Sequence, residues 1–196
     1  MKAPAGGKAI SDELIGIFFE DISSAADGGL YAELVQNGSF EYNPSERDGW
    51  GAGTAWKVVR PGHSLGMLQV RMDNGLNANN PTYMRLHTER AKEYYDYRGW
   101  TGYGIQNDGF DGISVKAGEK YDFSAYLRNV DASAKQVRVA LIEPQQQKGW
   151  RPADPKLLAD AIIDVTDNTW KKFEVVLTPD VHVNAVLRMP CSRFSC

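Results

Sequence analysis

Hydrophobic and polar residues alternate with a period of two through most of this chain. In "GMLQVRMD", Leu68, Val70 and Met72 fall on one face, with Gln69 and Arg71 on the other. "TYMRLHTE" sets Met84 and Leu86 against Tyr83, Arg85 and His87. "KYDFSAYLRN" sets Tyr121, Phe123, Ala125 and Leu127 against Asp122, Ser124, Tyr126 and Arg128. "QVRVALIE" groups Val137, Val139 and Leu141, and "KKFEVVLTP" groups Phe173, Val175 and Leu177. Successive side chains of a strand point to opposite faces, so this pattern predicts strands with one buried face. Turn residues separate the runs: "DNG" at 73–75, "NDGFDG" at 107–112, "KAGEK" at 116–120 and "TDNT" at 166–169. Many short strands at this spacing predict a mainly β protein, an antiparallel β-sandwich. Two short stretches read as helical: "DPKLLADAI", with Asp154 as cap and Pro155 at the first helical position, and "DGGLYAELVQN".

The beginning of the chain breaks the alternation. "LIGIFFEDI", residues 14–22, is a continuous apolar run that ends in carboxylates at Glu20 and Asp21. Such runs belong to strands buried on both faces, as in the parallel sheets of α/β proteins.

Composition narrows the function classes. The 196 residues are 42% hydrophobic and 24% charged, which fits one globular domain with an appended piece. A net charge of −3 without a dense Lys/Arg run argues against nucleic acid as a partner. No apolar run approaches the roughly 20 residues of a membrane span. The opening "MKAPAGGKAISDE" lacks the apolar core of a secretory signal, so the sequence expectation is a chain that stays where it is made. His63, His87 and His182 are far apart, and the expectation is no metal and no cofactor. Cys191 and Cys196 form a Cys-x4-Cys pair, which can close a small disulfide loop or end the chain as two free thiols.

"ISDELIGIFFEDISSAADGGLYAELVQNGSFEY" resembles the start of the α-L-arabinofuranosidases of glycoside hydrolase family 51. The resemblance rests on Gly-hydrophobic-Phe-Phe-Glu-Asp-Ile, then Ala-Asp-Gly-Gly-Leu-Tyr-Ala-Glu-Leu, then Gln-Asn-x-Ser-Phe-Glu. It implies that the apolar run is the first strand of a (β/α)8 catalytic barrel. Active-site residues of such barrels sit at strand C-terminal ends, so it also implies that Glu20 helps bind substrate arabinose in the complete enzyme. The rest, from "NGSFEYNPSERDGW" to "VTDNTWKKFEVVLTP", is similar to the module inserted after that strand. Such modules resemble carbohydrate-binding modules of families 4 and 9, jelly rolls with galactose-binding-like topology.

The division implied is a barrel-like segment at 1–36, a sandwich at 37–188 and a divergent tail at 189–196. Apolar alternation breaks after Leu187, so the closing strand of the jelly roll is expected to be missing and the chain to be marginal and prone to self-association through open strand edges. A retaining glycosidase needs two carboxyl groups about 5–5.5 Å apart. Glu20 and Asp21 are adjacent and point to opposite faces of a strand. The family's acid/base Glu follows an Asn, and this sequence has no Asn-Glu pair. No catalytic residue is therefore assigned, and the chain is expected to be inactive alone.

Aromatic rings stack on the C–H faces of sugars, while amides and guanidinium groups meet the hydroxyl rim. The densest such stretch is "EYYDYRGWTGYGIQND", residues 93–108. It offers Tyr94, Tyr97, Trp100, Tyr103 and Asn107 as carbohydrate-binding candidates, and Trp150 joins them from the polar loop "QQQKGWRP". The alternative reading is that some of these rings plug the end of the sandwich. Trp50 reads as core and Trp170 as core or edge. By resemblance, Glu41 is the first ligand to check if a structural calcium exists. The partner implied is arabinose-containing polysaccharide, arabinan or arabinoxylan, bound by an accessory module; the alternative is a spacer that packs against the barrel.

Overall fold

A computed structural model describes residues 33–90, 102–131, 135–144 and 155–192. These residues form ten strands: β1 (Trp56–Val59), β2 (Leu65–Arg71), β3 (Tyr83–Arg90), β4 (Tyr103–Asn107), β5 (Ile113–Val115), β6 (Tyr121–Leu127), β7 (Lys135–Glu143), β8 (Lys156–Val165), β9 (Lys171–Leu177) and β10 (Val183–Ser192). One short 3-10 turn, Pro61–His63, interrupts them.

The fold is the expected antiparallel sandwich. One layer has the order β1–β4–β10–β7–β8, and β5 continues the line of β4 by pairing with the first half of β10. The other layer consists of two separate antiparallel pairs, β2–β3 and β6–β9. The alternating faces meet between the layers. Ile105, Val115, Val137, Val139, Leu141, Ile163 and Leu187 come from the first layer, Leu86 and Leu177 from the second, and Leu68, Met84, Phe123 and Phe173 pack against them. Each such side chain stabilises by roughly 1.5–3 kcal/mol relative to exposure.

Two features of the pattern deceive. Val70 and Met72 share the face of Leu68 but are 47% and 65% exposed; among the described residues no strand pairs with the other edge of β2. In β7 the outward face is also apolar and buried at Ala140 and Ile142, which form a second small cluster with Val186.

The sequence expectation fails at two elements. Lys156–Val165 is not a helix but strand β8, an edge strand paired along the whole of β7. Ala159, Ala161, Ile163 and Val165 face inward, while Asp160 and Asp164 reach Arg138 and Gln136 across the ladder. A proline ahead of Leu-Leu-Ala suits a strand entrance as well as a helix N-terminus. A bulge beside Leu158 disguises the alternation by burying one extra leucine. The other helical stretch lies mostly outside the described residues; its last part, 33–37, is not helical.

The second failure is larger. No break follows Leu187: β10 runs through Met189, Pro190 and Cys191 to Ser192 at the centre of the main sheet. The closing strand expected to be missing is present, so the open edges its loss was expected to leave on β4 and β7 are paired. Pro190 is what made it illegible. Proline donates no hydrogen bond and is rarely found in central strands. Here the β10–β7 pairing lapses at Met189 and Pro190 and resumes at Cys191↔Val137. On the other side Pro190 sits opposite Gly104, where a Cβ would come within 2.5 Å of the Pro190 Cα. A glycine on β4 thus accommodates a proline on β10. Cys191 is fully buried and disulfide-bonded; Cys196 lies outside the described residues.

Candidate functional site

The second layer is split. No ladder joins β3 to β6 among the described residues, and a cleft of about 720 Å³ opens between them. Its walls are residues 83–86 of β3 and residues 120–128 around β6; its floor reaches the core at Ile105, Leu141 and Leu187.

The polar equipment of the cleft follows from strand geometry. The inward positions of β3 and β6 are apolar, so the outward positions carry the chemistry. Two of these read Tyr-x-Arg: Tyr83-x-Arg85 on β3 and Tyr126-x-Arg128 at the end of β6. Arg128 donates to the Tyr83 hydroxyl at 2.9 Å, and its guanidinium carbon lies 5.1 Å from the Tyr83 ring centroid and 5.0 Å from that of Trp170. Tyr83 and Trp170 meet edge to face at 5.2 Å and 80°. The Trp170 indole donates to the Asn74 carbonyl at 2.9 Å, which fixes its ring against the β2–β3 turn. Tyr126 lines the same cleft and is 49% exposed.

Three buried polar atoms of cleft-lining residues have no hydrogen-bond partner: Asn80 Oδ1, Arg85 Nε and Arg128 Nε. Buried polar groups are satisfied in the great majority of cases, so three orphans on residues of one cleft mark it out from the rest of the fold. They comprise two donors and one acceptor, which is what a polyhydroxylated ligand can meet.

Beside the mouth, Arg71 grips Asp73 through both oxygens, at 2.7 and 2.8 Å. The Arg71 hydrogen bond holds the Asp73 carboxyl at about 2, and the charges of Arg71 and Arg128 act in the same direction. A carboxylate held low contributes stability above its unfolded value near 3.8, and that contribution is lost as pH falls through about 2. Thermal unfolding followed from pH 4 to pH 2 is expected to fall more steeply for the native chain than for Asp73→Asn. Parallel curves would count against the bidentate pair. Both groups are exposed, so the expected difference is small.

A second polar cluster lies on the outer face of the main sheet. Burial alone would raise the Asp108 pKa, but hydrogen bonds from Lys57 and Gln106 outweigh it and bring the group below its usual value. Arg188, lowered by its own burial, donates to Gln106 at 2.5 Å. These groups satisfy one another.

Of the sequence candidates, Tyr103, Asn107 and Glu41 fall among the described residues. Glu20, Tyr94, Tyr97, Trp100 and Trp150 lie outside the described residues. Tyr103 is 3% exposed, on the inner face of β4, with Gly66 against its ring and Arg60 at 5.8 Å. Its ring plugs the core and offers no sugar platform. Asn107 is fully buried. Its Oδ1 accepts from the Gln36 and Gly109 amides at 3.2 and 2.9 Å, and its Nδ2 donates to the Gln36 carbonyl at 2.8 Å. Asn107 is a structural clamp, with its amide oxygen accepting twice and its amide nitrogen donating once within the fold. Glu41 Oε1 accepts from the Thr82 amide at 3.1 Å. Among the described residues no group of three or more His, Cys, Asp or Glu is placed to hold a metal, and no helix is long and apolar enough to cross a membrane. Trp50 is not in the core cluster: it is half-buried, stacked on Tyr42 at 4.2 Å. Trp170 is at the layer's edge, within the range expected for it.

Sequence reasoning missed Asn80, Arg85, Tyr126 and Arg128. The signal was available as the two Tyr-x-Arg repeats opposite apolar faces, but it is weaker than five aromatics in one stretch of sequence.

No protein-family model matches the chain. It is 41% identical over 131 residues to the extracellular exo-α-L-arabinofuranosidase of Streptomyces chartreusis, covering 66% of this chain and 14% of that enzyme. It is 30% identical over 176 residues to α-L-arabinofuranosidase 1 of Arabidopsis thaliana, covering 88% of this chain and 23% of that protein. The fold matches that of an arabinose-bound family 51 α-L-arabinofuranosidase with a TM-score of 0.64 at 24% identity, over 90% of this chain and 28% of the other. The chain thus spans less than a quarter of the length of these two relatives. By these sequences the chain matches a part of the α-L-arabinofuranosidases, and it shares its sandwich fold with a member of glycoside hydrolase family 51.

Proposed function

We propose that the sandwich is a carbohydrate-binding accessory module of an α-L-arabinofuranosidase that acts on arabinose-containing plant polysaccharide such as arabinan or arabinoxylan. Its binding surface is the cleft between β3 and β6. The observation that carries this reading is the set of orphaned polar atoms, Asn80 Oδ1, Arg85 Nε and Arg128 Nε, beside the rings of Tyr83, Tyr126 and Trp170. Rings hold the apolar faces of sugars and the orphans take their hydroxyls. In this reading residues 1–36 are the barrel-like segment, with Glu20 reaching substrate in the complete enzyme. The sandwich follows from residue 37 through the end of β10, and catalysis resides elsewhere in the whole protein.

Affinity electrophoresis of the full chain on arabinan and arabinoxylan tests the proposal. Retardation is expected. Tyr126→Ala is expected to weaken it by about 10-fold, the scale of one lost ring contact. Tyr126 is exposed, so its removal leaves the unfolding transition in place. Absence of retardation on arabinan, arabinoxylan and β-glucan alike would leave the spacer reading, which the exposed apolar residues Val70 on strand β2 and Met72 just after it favour. The edge of β2 also supports self-association, which light scattering behind size-exclusion chromatography reads on the same sample.

A further inference from the structure

The two arginines of the cleft are charged, and among the described residues neither is ion-paired with a carboxylate. Guanidinium is donor-only, and its planar fork matches a carboxylate through paired hydrogen bonds. Neither Arg85 nor Arg128 has an acidic partner within ion-pair reach among the described residues. Asp73 feels the charge of Arg128, but Arg71 holds both of its oxygens. Arg128 is oriented by the Tyr83 hydroxyl and by the Trp170 ring, and its Nε remains without a partner. Lys120 adds a third positive charge to the lining, against Glu33 and Asp122; Glu33 caps the Val35 amide. A guanidinium can meet hydroxyls as well, but its planar, charged fork is matched more fully by a carboxylate, which accepts two parallel hydrogen bonds and balances the charge.

We propose that this cleft selects glycans that carry a carboxylate, that is, uronic-acid residues within or attached to the polysaccharide chain. The carboxylate lies between Arg85 and Arg128, the sugar ring lies against Tyr126 or Trp170, and Asn80 Oδ1 accepts from a hydroxyl. The inference rests on the binding-module reading of the same cleft and gives it a ligand class.

Isothermal titration of the full chain separates the two claims with four probes: linear arabinan, polygalacturonate, methyl-esterified polygalacturonate and dextran sulfate. The free carboxylate polymer is expected to bind about 10-fold more tightly than its methyl ester, the scale of one charge-assisted pair. That preference is expected to shrink as salt rises from about 0.1 M to about 0.5 M. Arg85→Gln removes the fork and is expected to bring the two polymers within about 2-fold of each other. Arg85→Lys keeps the charge without the fork and is expected to restore only part of the preference. An unchanged unfolding midpoint shows that both variants are folded. Equal affinity for ester and free acid, with arabinan still bound, overturns this inference and leaves the module reading standing. Dextran sulfate binding as tightly as polygalacturonate overturns it as simple anion exchange. No binding of any probe overturns both.

Discussion

A chain ended after Leu187 is expected to lose cooperative folding altogether. β10 lies between β4 and β7, so removing its last five residues strips pairing from both neighbours at once: Arg188, Met189, Pro190 and Cys191 against β4, and Arg188, Cys191 and Ser192 against β7. Met189 is 7% exposed and Cys191 not at all. Their burial is worth roughly 3–6 kcal/mol together. The Thr88 hydroxyl, itself 1% exposed, also loses the Cys191 carbonyl to which it donates at 3.2 Å. A buried polar group left unsatisfied costs about 1–3 kcal/mol more. Even before the lost ladder bonds are counted, these losses are of the order of a typical domain stability of about 5–15 kcal/mol. Circular dichroism through a thermal ramp checks this. The full chain is expected to unfold in a sharp transition and the shortened one to show a shallow slope. A sharp transition in the shortened chain would mean that β4 and β7 can close on each other without β10.

This expectation reverses the one drawn from the sequence pattern, and the reversal shows where pattern reading stops. The strands that were legible, β2, β3, β6, β7 and β9, are those whose faces differ in polarity over five or more residues. β4 and β10 carry most of the architecture and hide it. β4 is short and reads "YGIQN", with a glycine and polar residues where a strand core is expected. β10 reads "VNAVLRMPCS", and its proline is tolerable only because Gly104 stands opposite. That fact belongs to a pair of residues 86 positions apart, so no local window contains it.

The same limit governed the candidate site. Tyr103 and Asn107 were singled out because aromatic and amide residues crowd one stretch. Yet their neighbours in space, Gly66, Cys191 and Gln36, are distant in sequence and absorb both side chains. The cleft residues were legible one by one as outward positions on β3 and β6. What the sequence could not reveal is that these two strands, unjoined by hydrogen bonds, face each other across a gap.

Asn107→Ala is the substitution expected to separate structure from binding most cleanly. The Asn107 side chain fastens the strap at Gln36 through a reciprocal pair of hydrogen bonds and holds the turn at Gly109 by a third. The strap continues into Asn37, whose Nδ2 donates to the Ala52 and Thr54 carbonyls at 3.1 and 2.9 Å. Trp56 in turn donates to the Asn37 carbonyl at 2.9 Å. Loss of the Asn107 amide therefore loosens one wall of the cleft entrance, since Glu33, Leu34 and Val35 line it. Two backbone donors and one acceptor lose their partner at a fully buried position. At about 1 kcal/mol for each bond the loss is about 3 kcal/mol, more if water cannot enter to replace the amide. Urea unfolding is expected to show that loss as a lower midpoint with an unchanged slope. Glycan affinity per folded molecule is expected to change by less than about 3-fold, because the ring platforms and the arginine forks are on β3, β6 and Trp170, away from the clamp. If affinity collapsed while the midpoint stayed where it was, Asn107 would be a ligand-binding residue after all, and the placement of the site in the β3–β6 cleft would be wrong.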